Sequence, residues 1–296
     1  MLSRNWLKSL LMNFLESTCR EDSSRVPENE SMDSPDQVRA MSEVTSLINA
    51  PRLFVMLRLA ELASQQGRHC RLLDLGCGTG EILFFLADTF KSYEVTGVDL
   101  SSSMLDFCRE SAKELKLENV RFIEDDISSL NAVDDESIDL IFSSFSLHHF
   151  RTEDQLGIFF KVALKKLTKN GVFYAFDFHR LKSKLSQLLV VAESKKHDSN
   201  LMTRELQNSM AAAFSREEVV RVFDRVGVSD VLCIRTGRLP LYLEITNRKL
   251  VEGVAGGLSK SAKLELNRRL QRFPKAVRDT FLLICYCFSV GSISRD

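Results

Sequence analysis

Three carboxylates and three glycines stand where they could hold a small ligand by backbone approach and hydrogen bonding. The run Leu72-Leu-Asp-Leu-Gly-Cys-Gly-Thr-Gly-Glu81 carries apolar residues into glycines 76, 78 and 80. Glycine is needed where the backbone takes unusual dihedrals or lies flat against a ligand. A helix opening there offers unpaired N–H groups to an electronegative atom. The spacing is G-x-G-x-G rather than the G-x-G-x-x-G of dinucleotide folds, and no Gly-Lys-Ser/Thr follows, which excludes a P-loop. Val95-Thr-Gly-Val-Asp99 then ends in a carboxylate about twenty residues on, placed to accept both hydroxyls of a ribose. Alone, such an Asp would more often cap a helix; coupled to the glycine loop it reads as a ligand. A third carboxylate, in Phe122-Ile-Glu-Asp-Asp-Ile127, could accept from an exocyclic amine while the next backbone N–H meets a ring nitrogen. Asp125 and Asp126 compete for that role, and a turn residue is the plainer reading of either.

A second group of residues could move a proton. His148 and His149 follow the expected fourth strand, and a histidine there can take a phenol or enol proton near neutral pH. The plainer reading is that the pair caps the loop and packs on the next helix; for catalysis His149 is preferred over His148. Asp177 and His179, just past the fifth strand, are expected within range of the same pocket. His197 and Asp198 lie in a helical stretch and read as surface residues or as part of a closing lid. No metal is expected, because the histidines and cysteines show no ligand spacing together with a carboxylate.

These residues need a scaffold of strands that end at one edge. Short apolar runs at 70–75, 94–98, 120–123, 138–142 and 172–178 alternate with helical stretches at 81–90, 103–117 and 153–168, the last closed by Asn170-Gly171 as a C-cap. That alternation predicts βαβ units and a parallel sheet covered on both faces. Before it, 20–36 reads as a polar linker with two prolines, and a helical stretch runs to Ala63. After it, 181–226 is mostly helical, with a capping box at Ser215-Arg-Glu-Glu. Strands at 231–235 and 241–246 should form a hairpin, and helices at about 258–271 and 275–290 should close the chain.

In order, LLDLGCGTGE, VTGVDLSSSML, FIEDDISSL and DLIFSSFSLHHF resemble the motifs of class I S-adenosylmethionine-dependent methyltransferases. The resemblance covers residues 68–180. Within that class, the Ser-Phe-Ser-Leu-His-His run is similar to small-molecule enzymes, including the ubiquinone and menaquinone biosynthesis group. ESMDSP and SMAAAFS are reminiscent of bacterial methyltransferases of this type. The resemblance implies an α/β Rossmann-like sandwich with a mostly parallel seven-stranded sheet, helices on both faces and a helical lid. It divides the chain into a helical segment and linker at 1–66, a methyltransferase domain at 67–250 with a helical insertion at 181–214, and a helical extension at 251–296. It implies S-adenosyl-L-methionine as cofactor. Asp74 would lie near the methionine amino group, and Gly76, Cys77, Gly78, Thr79 and Gly80 would wrap the amino-acid moiety. Asp99 would hold the ribose, Leu100 and Met104 flank the adenine, Asp126 and Ile127 read its edge, and Ser144 line the cofactor beside the acceptor. Cys77 stands where a small residue is usual and reads as packing, not as a nucleophile. The expected activity is methyl transfer to a small, hydrophobic or aromatic acceptor. The alternatives are methylation of protein or RNA, or a binding module without activity.

Composition bounds these readings. The chain has 296 residues, 44% hydrophobic and 27% charged, with 40 basic and 40 acidic side chains. That is an ordinary globular balance without the charge of a dedicated nucleic-acid binder. Charge is uneven, with 18 acids against 8 bases over 66–160 and 12 bases against 5 acids over 235–296. The basic end reads as a solvated face, with contact to phosphate or anionic lipid as the alternative. Seven cysteines, an odd number, read as free thiols of a reducing compartment. No transmembrane run is expected. The first 17 residues read as an amphipathic docking helix in which Trp6, Leu10, Phe14 and Leu15 share an apolar face. Together with 181–214, that helix is expected to roof the acceptor pocket. The expected location is cytoplasmic, with mitochondrial targeting the minority reading. The oligomeric state is not legible.

Overall fold

The structure, a computed structural model, describes residues 4–19, 24–28, 49–196, 198–236 and 240–247. Helix α1 (Arg4–Thr18) precedes α2 (Asn49–Ser64), and then β1 (Arg71–Leu75), α3 (Glu81–Thr89), β2 (Glu94–Asp99), α4 (Ser102–Glu114), β3 (Val120–Glu124) and β4 (Ile138–Ser144) follow. A short helical turn, Leu147–His149, leads to α5 (Glu153–Lys166) and β5 (Leu167–Phe178). The chain continues through α6 (Lys184–Ser194), α7 (Asn200–Ala212), α8 (Arg216–Val226), β6 (Val231–Arg235) and β7 (Tyr242–Asn247). The final helices expected at 258–290, the turn at 237–239, His197 and the basic C-terminal end lie outside the described residues. No helix among the described residues is long and apolar enough to cross a membrane.

The seven strands form one sheet in the order β3-β2-β1-β4-β5-β7-β6. The first five are parallel; β7 runs antiparallel to both β5 and β6. This is the mostly parallel, seven-stranded α/β architecture that the family resemblance implies, with the parallel sheet that the alternating pattern predicts. The period of two is visible in the burial. Leu72, Leu140, Val172, Tyr174 and Phe176 join one core with residues of α2, α3 and α4, while Leu73, Leu75, Ile141, Phe173 and Ala175 join another with residues of α5 and α8. Helix α8 opens with the expected capping box and closes on Gly227 at φ 73°, a left-handed C-cap.

Three expectations need correction. Asn170-Gly171 does not close α5, which ends at Lys166; the pair lies inside β5. The β4–β5 register slips between Ile138 and Leu140, and a Cβ at position 171 would stand 3.0 Å from the Ile138 carbonyl oxygen. Glycine there permits close backbone approach rather than a helix stop. Second, two residues of the apolar face assigned to α1 do not dock; Leu15 of that face is half-buried, and the Trp6 side chain lies outside the described ones. Phe14 is 64% and Leu10 48% exposed, while Met12 and Glu16, four residues apart, are buried. Glu16 accepts from the backbone N–H groups of Lys182 (2.7 Å) and Ser183 (3.1 Å), which fixes α1 at the start of α6. Third, part of the linker is not loose. Residues 24–28 lie against α7, with the Val26 N–H donating to Ala211 O at 3.0 Å.

Candidate functional site

At the carboxyl ends of the parallel strands lies a cleft of about 430 Å³, where open α/β sheets bind ligands. The first four strands each deliver a group to it. Asp74 comes from β1, Asp99 from β2, Asp126 and Ile127 from the loop after β3, and Ser144 from β4. The glycine loop, residues 76–80, enters α3 beneath it; of this stretch Gly76, Cys77, Gly78 and Thr79 line the cleft. Gly80 does not. It takes φ 76° at the N-cap of α3, and a Cβ there would meet Cys108 Sγ and Phe84 at 2.9 Å. Its role is to let the loop sit tightly on α4. Gly78 is the opposite case. It also lies in the left-handed region, φ 52°, yet a Cβ built there meets nothing within 4 Å.

Asp99 ties the loop to β2. Its Oδ2 accepts from the Gly78 N–H at 2.8 Å, and Oδ1 from the Ser101 N–H at 3.0 Å. Each carboxylate oxygen keeps a second lone pair for a ligand. Asp74 is buried, and its Oδ1 has no hydrogen-bond partner. Burial, followed by the nearby Asp99 charge, pushes its carboxyl well above the usual carboxylate range. An unpartnered buried acceptor is costly and calls for a donor, so Asp74 fits a ligand ammonium. The Asp125/Asp126 alternative is separated by hydrogen bonds. Asp125 is the turn residue, accepting from the Asp126 N–H, Ser129 Oγ and Ala132 N–H, whereas Asp126 lines the cleft and is held by Ser128. Leu100, 70% exposed, and Met104 both line the cleft. Cys77 fits the packing role: burial and a hydrogen bond to Cys108, the bond being the larger cause, hold its thiol well above its ordinary value.

The other end of the cleft is assembled from distant parts of the chain. His149 lines it, half-exposed, with Nδ1 2.8 Å from Glu28 Oε2. His148 does not line it. That ring is buried, with Nδ1 2.6 Å from Asp177 Oδ1. Burial lowers the His148 pKa, but the charge and hydrogen bond of Asp177, with help from Glu28, outweigh it and leave the pKa raised. Asp177 also accepts from the backbone N–H groups of Leu147 (2.5 Å), His148 (3.3 Å) and Phe178 (2.6 Å), so it builds the turn that presents both imidazoles. For Glu28, burial raises the pKa, yet the His149 hydrogen bond and the two imidazoles more than offset this and leave the carboxyl below its usual value. His179 is not in this site. It is buried against the Pro240 carbonyl (3.0 Å), and burial and then Arg235 push it down to about 4. Asp198 instead accepts from Ser194 Oγ at the end of α6.

Four contributors are given no role by the sequence reading. Arg25 clamps residues 24–28 in place, donating to the carbonyls of His148 (3.1 Å), Phe150, Arg151 (2.7 Å) and Ala212 (2.7 Å). Glu28 is presented by the same segment, whose polar, proline-containing composition reads only as a loop. Arg52 of α2 lines the cleft beside Glu81, 2.9 Å away. Phe145 follows β4 at φ 55°, a strained conformation for an aromatic residue, and its ring meets Phe176, Phe178 and Tyr242 at centroid distances of 5.1–6.2 Å. It gives the cleft an apolar wall. Among the described residues, none from 181–214 lines the cleft. The insertion acts on it through the 24–28 segment, which α7 supports through Ala211, Ala212 and Ser209.

Comparison with known proteins agrees with this geometry. YqeM of Bacillus subtilis, provisionally named a methyltransferase, is 34% identical over 109 residues, 37% of this chain and 42% of that protein. (S)-coclaurine N-methyltransferase of Papaver somniferum is 34% identical over 98 residues, 33% of this chain and 25% of the enzyme. The chain thus matches less than half the length of either relative. The solved structure of a SAM-dependent methyltransferase from Aquifex aeolicus shares the fold at TM-score 0.50 and 15% identity, covering 72% of this chain and 97% of that one. A family model described as a methyltransferase domain matches residues 66–227, which span every strand from β1 to β5 and the whole glycine loop. The chain belongs to that methyltransferase-domain family.

Proposed function

We propose that the chain transfers a methyl group from S-adenosylmethionine to a small acceptor bearing a phenol, enol or amine on an aromatic or hydrophobic body. The observation that carries the cofactor half is Asp74: a buried carboxylate oxygen without a partner, in the wall of a cleft floored by left-handed glycines. S-adenosylmethionine supplies a methyl already activated on a sulfonium sulfur, so the protein has mainly to align the acceptor and exclude water. Asp74 would take the ammonium of the amino-acid moiety and Arg52 its carboxylate. Asp99 would hold the ribose hydroxyls, Leu100 and Met104 the adenine faces, and Asp126 with Ile127 the adenine edge.

The acceptor half rests on Phe145 and His149. Phe145 offers an aromatic surface continuous with Phe176, Phe178 and Tyr242. His149, with its Nδ1–H directed to Glu28, carries its lone pair on Nε2 and can receive the acceptor proton there; Glu28 stabilises the imidazolium that results. His148 is a positioning residue held by Asp177, not the base. The match to an N-methyltransferase over a third of the chain supports a small-molecule acceptor. Titration calorimetry with S-adenosylhomocysteine, followed by a methyl-transfer screen over small phenols, quinones and amines, tests both halves. Saturable binding with turnover of at least one acceptor is expected. Absence of binding would overturn the cofactor assignment, and binding without turnover of any of them would overturn the acceptor class.

A further inference from the structure

The acceptor end also holds a cluster that the proton-transfer reading only partly uses. Glu28, His148 and His149 each offer one donor atom, and the three lie within 4.8 Å of one another. Two donors bound to one cation at about 2.0–2.2 Å stand no more than about twice that apart, a separation that small side-chain rotations reach from here. We propose that these three side chains form a site for a first-row divalent cation, with its remaining coordination positions open to the cleft.

The surroundings are those of a built metal site. His148 is fixed by the Asp177 carboxylate on Nδ1, which leaves Nε2 free to ligate; metal-bound histidines ordinarily have such a carboxylate on the other ring nitrogen. Glu28 is oriented by Ser209 Oγ on Oε1 at 3.0 Å, leaving Oε2 toward His149. Oε2 and His149 Nδ1, 2.8 Å apart, are spaced like neighbouring ligands, and the cation replaces the proton now between them. Glu28 and Asp177 bring two negative charges here, and the Arg25 guanidinium beside them is engaged with backbone carbonyls. Two imidazoles and one carboxylate favour zinc, iron(II), cobalt(II), nickel or manganese over magnesium or calcium, which prefer oxygen donors. A cation there occupies the face of the cleft assigned to the acceptor. In the cation-loaded chain it would coordinate an acceptor oxygen and ease its deprotonation to solvent, while His149 serves as base in the metal-free chain. That last role rests on the methyl-transfer reading; the affinity for the cation does not.

The test is cobalt(II) titration of the full chain after dialysis against chelator, read by visible absorption and repeated with zinc in competition. The parent is expected to take one equivalent with visible bands and no thiolate charge transfer. Glu28→Gln and His149→Asn should each weaken binding by about tenfold or more. His149 is half-exposed, so its replacement keeps the fold and the test stands even if Glu28→Gln loosens the chain. Undiminished binding in His149→Asn, no binding in the parent, or near-ultraviolet thiolate bands placing the cation on cysteines would each overturn the site. A parallel S-adenosylhomocysteine titration of the parent reports the cofactor reading separately, so failure of one is not failure of the other.

Discussion

The two ends of the cleft are built on different principles. The end proposed for the cofactor takes Asp74, the glycine loop, Asp99 and Asp126 from successive strand ends within one stretch of chain. Its geometry follows from the sheet: parallel strands end at one edge, and whatever terminates them meets there. The acceptor end joins Glu28, Phe145, His149 and Asp177, and it relies on Arg25 donating across more than 120 positions to the carbonyls of 148, 150 and 151. One end is a consequence of topology. The other is held by individual side-chain clamps, so single substitutions should affect the two ends separately.

The largest effect is expected at Gly78. Gly78→Val places a β-branched residue at φ 52° and sends its side chain into the open space of the cleft. S-adenosylhomocysteine binding should fall below detection by calorimetry. Parent-like affinity would reduce the loop to a tight turn. On the other side of the comparison, His149→Ala should lower kcat by about 10²–10⁴-fold while the cofactor Kd holds, the range for losing a general base. Steady-state kinetics on an acceptor found by the screen decides it, and an unchanged kcat would remove His149 from proton transfer.

How much of this was legible depends on the same division. That LLDLGCGTGE, Val-Asp99 and Asp126 meet at the cleft is legible because a strand running into glycines, and a carboxylate ending the next strand, are local patterns whose position is set by the fold. Asp125 against Asp126 was not separable from sequence, since only the turn geometry shows which carboxylate is used up by backbone donors. Glu28 and Arg25 were invisible. A polar segment with a proline has no periodicity, and its docking comes from partners far along the chain. The face of α1 differs from the sequence reading for a related reason: apolar spacing favours Leu10 and Phe14, but a buried position goes to Glu16, which accepts from two backbone N–H groups just before α6. Asn170-Gly171 was misread because the same dipeptide that stops a helix also allows close packing within a strand.

Two smaller effects sharpen the cofactor end. Asp99→Ala should weaken S-adenosylhomocysteine binding by about 1.5–3 kcal/mol, as for hydrogen bonds to a charged group. Asp74 adds a proton linkage. Its raised pKa means that the folded free protein binds more protons than the unfolded chain above the ordinary carboxylate range, so this group lowers stability as pH rises through that window. A ligand ammonium lowers the pKa again, so binding in that window should release protons. Calorimetry in two buffers of different ionisation enthalpy reads this directly, and Asp74→Asn should abolish the release. Binding without proton exchange in the parent would remove Asp74 from the ammonium site.

The central claim, that the cleft has a topological cofactor end and a separately clamped acceptor end, is tested most directly by one calorimetric series. S-adenosylhomocysteine is titrated into the parent, Asp99→Ala and His149→Ala chains under identical conditions. Affinity is expected to fall about 10- to 150-fold in Asp99→Ala, the equivalent of the 1.5–3 kcal/mol above, and to stay at the parent value in His149→Ala. Equal affinity in all three, or a loss in His149→Ala as large as in Asp99→Ala, would contradict it.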